Sequence, residues 1–190
     1  MDHLSVRLEA SATCAAPALV LRPWSPADAG DLAGLYRDDE ALGRWTRATV
    51  RDEASAARWI QDQRRGWETG ERFGFAVTEV RPGGTESRLA GHVALRNVSP
   101  GAASAEVGYW TGAHARGRGV APRALQALTH WAFTSLPVDG PTRLKLLHQV
   151  DNTASCRVAA KTGYELTTLL PAAPPDYPLA GHVHVRARDR

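Results

Sequence analysis

Apolar and polar positions change rhythm along the chain, and each rhythm predicts an element. Between residues 72 and 80 they alternate with a period of two around Phe73, Phe75 and Val77, the pattern of a half-buried strand. Short strands of the same kind are expected at 18–22, 88–96, 105–111, 143–150, 164–170 and 182–188. Helical rhythm predicts four helices. The first starts at Ser25-Pro26, a hydroxyl cap followed by the residue suited to the first helical turn, and runs to about Arg37. The second covers 51–67, with Ala54, Ala57, Trp59 and Ile60 available for a buried stripe and Gly70 as its stop. The third covers 120–135. The fourth covers 152–162 and ends at Gly163. Turn chemistry marks the breaks at 81–84, 97–103, 136–141 and the proline-rich 171–178.

Meandering strands come first, then strand–helix–strand–helix–strand. That order predicts one mixed α/β (α+β) domain: a twisted mixed sheet of about seven strands flanked by about four helices, over residues 18–190. Residues 1–17 show little periodicity and are expected to form a weakly ordered extension.

Composition narrows the class without naming a function. A chain of 190 residues with 43% hydrophobic and 23% charged content is ordinary for a globular domain. No apolar run is long enough to span a membrane, and no secretory signal pattern opens the chain, so a cytoplasmic setting is expected. The net charge of +3 favours an anionic ligand more than nucleic acid, since no basic run interleaved with aromatics occurs. Arginine dominates the positive charge; the only lysines are Lys145 and Lys161, a bias that with the Ala, Gly and Pro content suggests a GC-rich bacterial source. Cys14 and Cys156 match no metal spacing and read as reduced thiols. His182 and His184 face one side of a predicted strand, but two histidines make a poor zinc site, and no metal is expected.

The most informative stretch is 106–125, where a strand runs through a glycine-rich turn into a helix. The first helical N–H groups have no internal partner and sit at the positive end of the helix dipole, so they form an anion site. Gly117 and Gly119 let a phosphate approach the backbone, and Arg116 and Arg118 add charge nearby. No Gly-Lys-Ser/Thr follows, which excludes a nucleoside-triphosphate loop. The dinucleotide fingerprint fails at its third glycine, where Pro122-Arg123 stands.

The run Arg116-Gly117-Arg118-Gly119-Val120-Ala121 resembles the Arg/Gln-x-x-Gly-x-Gly/Ala signature of the GNAT acyltransferases. Glu106-Val107-Gly108-Tyr109-Trp110, the segment from Asn152 through Ser155 to Gly163-Tyr164, and the early Leu21-Arg22-Pro23-Trp24 resemble the RimJ/RimL-like branch, which acetylates ribosomal-protein N-termini. The resemblance covers about residues 18–170. It implies acetyl-CoA as cosubstrate, with its pyrophosphate on Arg116, Gly117, Arg118, Gly119, Val120 and Ala121. It also implies a pantetheine arm paired with the backbone of Tyr109, Trp110 and Thr111, a sheet splayed between the fourth and fifth strands, and contacts from Asn152 and Ser155. The acceptor would be a primary amine, on a protein N-terminus or a small molecule.

Amide formation needs a neutral amine, a polarised thioester and a proton for the departing thiolate. An alkyl amine is mostly protonated at neutral pH, so a general base helps. Glu106 is the first candidate and His148, on the strand across the splay, the second. The tyrosine that many relatives use as acid is replaced by Ala159; Ser155 is the substitute the resemblance suggests, either as proton donor or as a cofactor contact. Cys156 as a nucleophile is not needed when transfer is direct. Trp24, Trp45, Trp59 and Trp67 are expected either in the core or along an acceptor pocket. Two other readings remain: a transferase using another acyl-CoA or an aminoacyl-tRNA, and a non-catalytic acyl-CoA sensor. The chain could act as a monomer or a homodimer.

Overall fold

The computed structural model describes residues 6–46, 48–80, 86–136 and 140–188. The expected turn at 81–84 lies outside the described residues, as do residues 137–139 of the break at 136–141. Within them, one eight-stranded sheet runs in the order β1-β2-β3-β4-β5-β6-β8-β7. The strands are β1 (Leu8–Ala10), β2 (Leu19–Pro23), β3 (Phe73–Val80), β4 (Glu86–Arg96), β5 (Ser104–Thr111), β6 (Arg143–Gln149), β7 (Glu165–Leu170) and β8 (Gly181–Ala187). The helices are α1 (Ala29–Arg37), α2 (Glu40–Thr46), α3 (Glu53–Thr69), α4 (Val120–Ser135) and α5 (Thr153–Lys161).

The mixed α/β architecture matches the reading from pattern, with one more strand and one more helix. The additional strand, β1, lies inside the stretch expected to be an extension, where it pairs antiparallel with β2. Three residues are too few to show a period, so pairing rather than patterning makes this strand. Helix α2 spans only two turns and escapes the periodicity test for the same reason.

Local capping sets two helix starts. Ser25 Oγ accepts from the Ala27 N–H and the Asp28 carboxylate accepts from the Ser25 N–H at 2.8 Å. Asp28 also takes a two-pronged bond from Arg22, at 2.7 and 2.8 Å, which ties the start of α1 to β2. Asp52 and Ser55 form the reciprocal box that opens α3, and Gly70, at φ 74°, closes it.

Two cores result from the alternation of side chains through the sheet. Leu19, Leu21, Phe75, Val77, Val93, Leu95, Val107, Leu144 and Leu146 pack under α4, whose Leu125 and Leu128 are fully buried. Each such leucine contributes about 1.5–3 kcal/mol by leaving water. On the opposite face Ala76 and Leu89 pack with Trp24, Leu32, Leu42 and Ile60 under α1, α2 and α3. The buried stripe of α3 is Ala56, Ile60, Gln63 and Trp67, not the stripe with Ala54 and Ala57, which are exposed. Periodicity fixes the spacing of a stripe, but an alanine-rich helix offers several registers, and the packing of Ile60 and Trp67 selects one.

Candidate active site

Strand β5 feeds the glycine-rich turn and α4 leaves it. Gly117 and Gly119 have φ of 75° and 73°, and nothing lies within 4 Å of where a Cβ would stand on either. Their glycines are therefore required by the left-handed backbone and not by crowding. Gly119 precedes α4 with no side-chain cap. The N–H groups of Val120 and Ala121 have no partner inside the helix, and Pro122 has no N–H at all. Peptide donors at this helix start are thus left without an intrahelical partner.

The flanking arginines are not free charges. Arg116 pairs with the buried Asp39 and donates from Nε to the Thr111 carbonyl at 3.1 Å. Arg118 pairs with Glu79 of β3 at 2.6 Å. Both guanidinium groups brace the turn against distant elements, and the backbone adds donors at the helix start.

The sheet opens beside this turn. β5 and β6 pair in parallel from Ser104↔Arg143 to Val107↔Leu146, and the ladder stops there. β5 continues to Thr111 and β6 to Gln149, so Gly108, Tyr109, Trp110 and Thr111 present an edge toward β6 that has no partner strand among the described residues. Their other edge stays paired with β4, from Gly108↔Ala94 to Thr111↔Gly91. Gly91 makes that pairing possible, because a Cβ there would lie 2.4 Å from the Trp110 carbonyl oxygen. The splay falls between the fourth and fifth of the seven predicted strands, which are β5 and β6.

Alternation along β5 sends its side chains to opposite faces. Tyr109 points under α5, where its hydroxyl donates to Ser155 Oγ at 3.1 Å. Burial pushes the Tyr109 phenol up to about 12, so it stays protonated. Asn152 caps α5 through its Oδ1, which accepts from the Ser155 N–H at 3.1 Å. Ser155 itself is buried, and Ala159 is fully buried one turn on.

On the opposite face Trp110 meets Tyr36, His92 and Trp24, at centroid distances of 5.9, 5.8 and 6.3 Å. Trp24 and Trp67 are core residues, Trp59 is half-buried against Trp24, and Trp45 is exposed under Arg44. Glu106 shares this face. Its carboxylate lies 3.9 Å from the guanidinium of Arg96, which also packs over Gly108. Glu106 is in register with Lys145, inside the paired part of the β5–β6 ladder.

His148, the second candidate base, lies near the end of β6. Its Nδ1 donates to the Gln149 carbonyl at 2.8 Å and its Nε2 lies 3.7 Å from Cys156 Sγ. It joins His182, His184 and Cys156 in one group, so the two histidines judged too few for a metal have two further donors beside them. Pattern reading missed this cluster and the Tyr109–Ser155 bond; the only local signals were Cys156 next to Ser155 and the His-x-His spacing.

Residues 18–165 match the acetyltransferase (GNAT) domain family. The ribosomal-protein-serine acetyltransferase of Escherichia coli (strain K12) is 33% identical over 88 residues, which are 46% of this chain and 48% of that protein. The matched region thus spans about half the length of that curated relative. The solved structure of a Vibrio cholerae protein assigned as a ribosomal-protein-serine acetyltransferase aligns over 97% of this chain and 98% of its own, with 25% identity and a TM-score of 0.76. The microcin C7 self-immunity acetyltransferase MccE, solved with acetyl-CoA and AMP, aligns over 89% of this chain and 92% of its own at 17% identity, also with a TM-score of 0.76, a likeness of fold. Among the described residues no helix is long and apolar enough to cross a membrane.

Proposed function

Because the chain belongs to the acetyltransferase (GNAT) family, we propose that it moves the acetyl group of acetyl-CoA to a primary amine by direct attack on the thioester. The observation that carries this reading is the unpartnered edge of β5 at Gly108–Thr111, running straight into the outward-facing donors at Val120 and Ala121. Pantetheine is an extended chain with two amides, and an open strand edge is its complement. The pyrophosphate then falls on the N–H groups of 117–121. Arg116 and Arg118 contribute by holding the turn, through Asp39 and Glu79.

The two faces of β5 divide the chemistry. A backbone N–H at Trp110 or Thr111 polarises the acetyl carbonyl. On the α5 face, Tyr109 donates to Ser155 Oγ, which leaves the serine proton free to be directed at the departing thiolate. On the α1–α3 face, Glu106 accepts the amine's proton through water. Its 3.9 Å separation from Arg96 is longer than a hydrogen bond, so the carboxylate still has acceptor capacity. His148 is not assigned the base because both ring nitrogens are engaged, with Gln149 and Cys156. The transfer itself needs no metal.

The acceptor we assign is a peptide N-terminus with a small first residue, in a cytoplasmic bacterial setting. Support comes from the relatives named for ribosomal-protein serine. Acetyl-CoA binding by calorimetry, followed by turnover on peptides with N-terminal serine beside a panel of small amines, tests the assignment. Turnover confined to small amines overturns the peptide acceptor. Tight acetyl-CoA binding with no turnover on any amine favours the sensor, and no binding at all points to another acyl donor or a charged tRNA.

A further inference from the structure

Three elements converge on one point beside the splay. In the antiparallel β6–β8 ladder His148 stands opposite His182, and Leu146 opposite His184, so the three imidazoles share one face. Helix α5 lays Cys156 over that face. The four donor atoms lie within 4.8 Å of one another. The rings nest closely: His148 stacks on His184 at 5.1 Å and 22°, and His182 stands edge-on to His148 at 5.3 Å.

We propose that His148, Cys156, His182 and His184 form a four-coordinate zinc(II) site that clamps α5 to β6 and β8. Tetrahedral zinc, with Zn–S about 2.3 Å and Zn–N about 2.0–2.1 Å, separates a thiolate from an imidazole nitrogen by about 3.6 Å. Cys156 Sγ lies 3.2 Å from His182 Nδ1 and 3.7 Å from His148 Nε2, on either side of that value. The carbonyl of Gln149 can only accept, so it fixes the His148 proton on Nδ1 and leaves the Nε2 lone pair facing the thiol.

His184 is the independent observation. It is only 5% exposed, and neither of its ring nitrogens makes a well-formed hydrogen bond among the described residues, the Tyr164 backbone offering only a weak one. A buried polar ring without a well-formed bond is costly, and an apolar side chain would fill the position at less expense. A cation at the centre of the cluster satisfies it. One thiolate with three imidazoles is a borderline-soft donor set that suits zinc and not magnesium or calcium. His148, Cys156 and His182 are half-buried, which leaves a route for the ion. On binding, the Cys156 thiol gives its proton to solvent as the sulfur–zinc bond forms. The site is structural and holds whether or not the chain turns over acetyl-CoA.

The test uses the full chain without a histidine tag, stripped with a chelator and titrated with zinc against a chromophoric competitor. The expected result is one zinc per chain, with affinity reduced at least tenfold in both Cys156→Ser and His182→Asn. Zinc should raise the melting midpoint of the parent by several degrees and that of both variants by clearly less. Cobalt(II) in place of zinc should show a thiolate charge-transfer band that Cys156→Ser abolishes. Failure of the parent to retain zinc, equal affinity in the variants, or a cobalt spectrum without that band would overturn the site. If Cys156→Ser does not fold, the half-buried His182→Asn gives the same reading.

Discussion

Tyr109 and Ser155 stand 46 positions apart in the chain and meet across 3.1 Å, the phenol donating to the serine hydroxyl. The bond joins β5 to the first turn of α5 at the mouth of the splay. It also orders the two hydroxyls: the phenol, held protonated by burial, donates to the serine oxygen, so the serine proton is directed elsewhere.

Removal of that proton donor should slow chemistry and spare cosubstrate binding. Ser155→Ala is expected to lower kcat by about 10²-fold or more, within the range of positioned acids. Tyr109→Phe, which leaves the serine but removes one bond to it, should cost roughly five- to tenfold. The Km for acetyl-CoA should change little in either. Full kcat in both variants, measured at steady state, would remove the pair from the mechanism.

Glu106→Gln keeps the shape of the side chain and its neighbour Arg96 but loses the base. A kcat/KM reduced about 10²-fold at neutral pH is expected at steady state. An unchanged kcat/KM would assign the proton to another group.

Cosubstrate affinity should follow the backbone of the turn more than its arginines. Gly119→Ala forces an L side chain into φ 73°, at a cost of about 1–2 kcal/mol, and should weaken acetyl-CoA binding roughly tenfold. Arg118→Gln, whose parent side chain is held by Glu79, should weaken it less. Calorimetric titration of the two variants decides the order; the reverse order would mean that Arg118 leaves Glu79 for the phosphates.

His92 should make stability depend on pH. Burial drives its pKa down to about 3, against a Phe75 carbonyl that favours the charged ring and with the help of Arg96 and Arg72; its Nδ1 lies 3.0 Å from both that carbonyl and the Trp24 indole nitrogen. The unfolded chain binds this proton near pH 6.5 and the folded chain does not, so the unfolded state holds more protons between those values. Stability is fully present above about 6.5 and falls with pH, at about 1.4 kcal/mol per unit well below it. Urea unfolding at pH 7 and pH 5 should therefore show a larger loss for the parent than for His92→Gln. Equal losses would show that His92 is protonated in the fold.

Sequence alone determined what depends on near neighbours. The alternation of Phe73, Phe75 and Val77 made β3 legible. The Ser25 cap marked a helix start, and the placement of Gly117 and Gly119 marked a tight turn opening a helix before any contact was known. Those signals survive because strand period, capping and left-handed glycines are properties of a few consecutive residues.

Tertiary structure decided everything that joins distant positions. It inserted β8 between β6 and β7, so that His182 came to face His148. It paired Arg116 with Asp39 and Arg118 with Glu79, tying both arginines beside the turn to distant elements. It set Tyr109 against Ser155 and left Glu106 on the far side of the same strand. No period or propensity encodes such meetings. They follow from which faces the sheet buries and where the β5–β6 ladder ends, and both are settled only when the whole chain has packed.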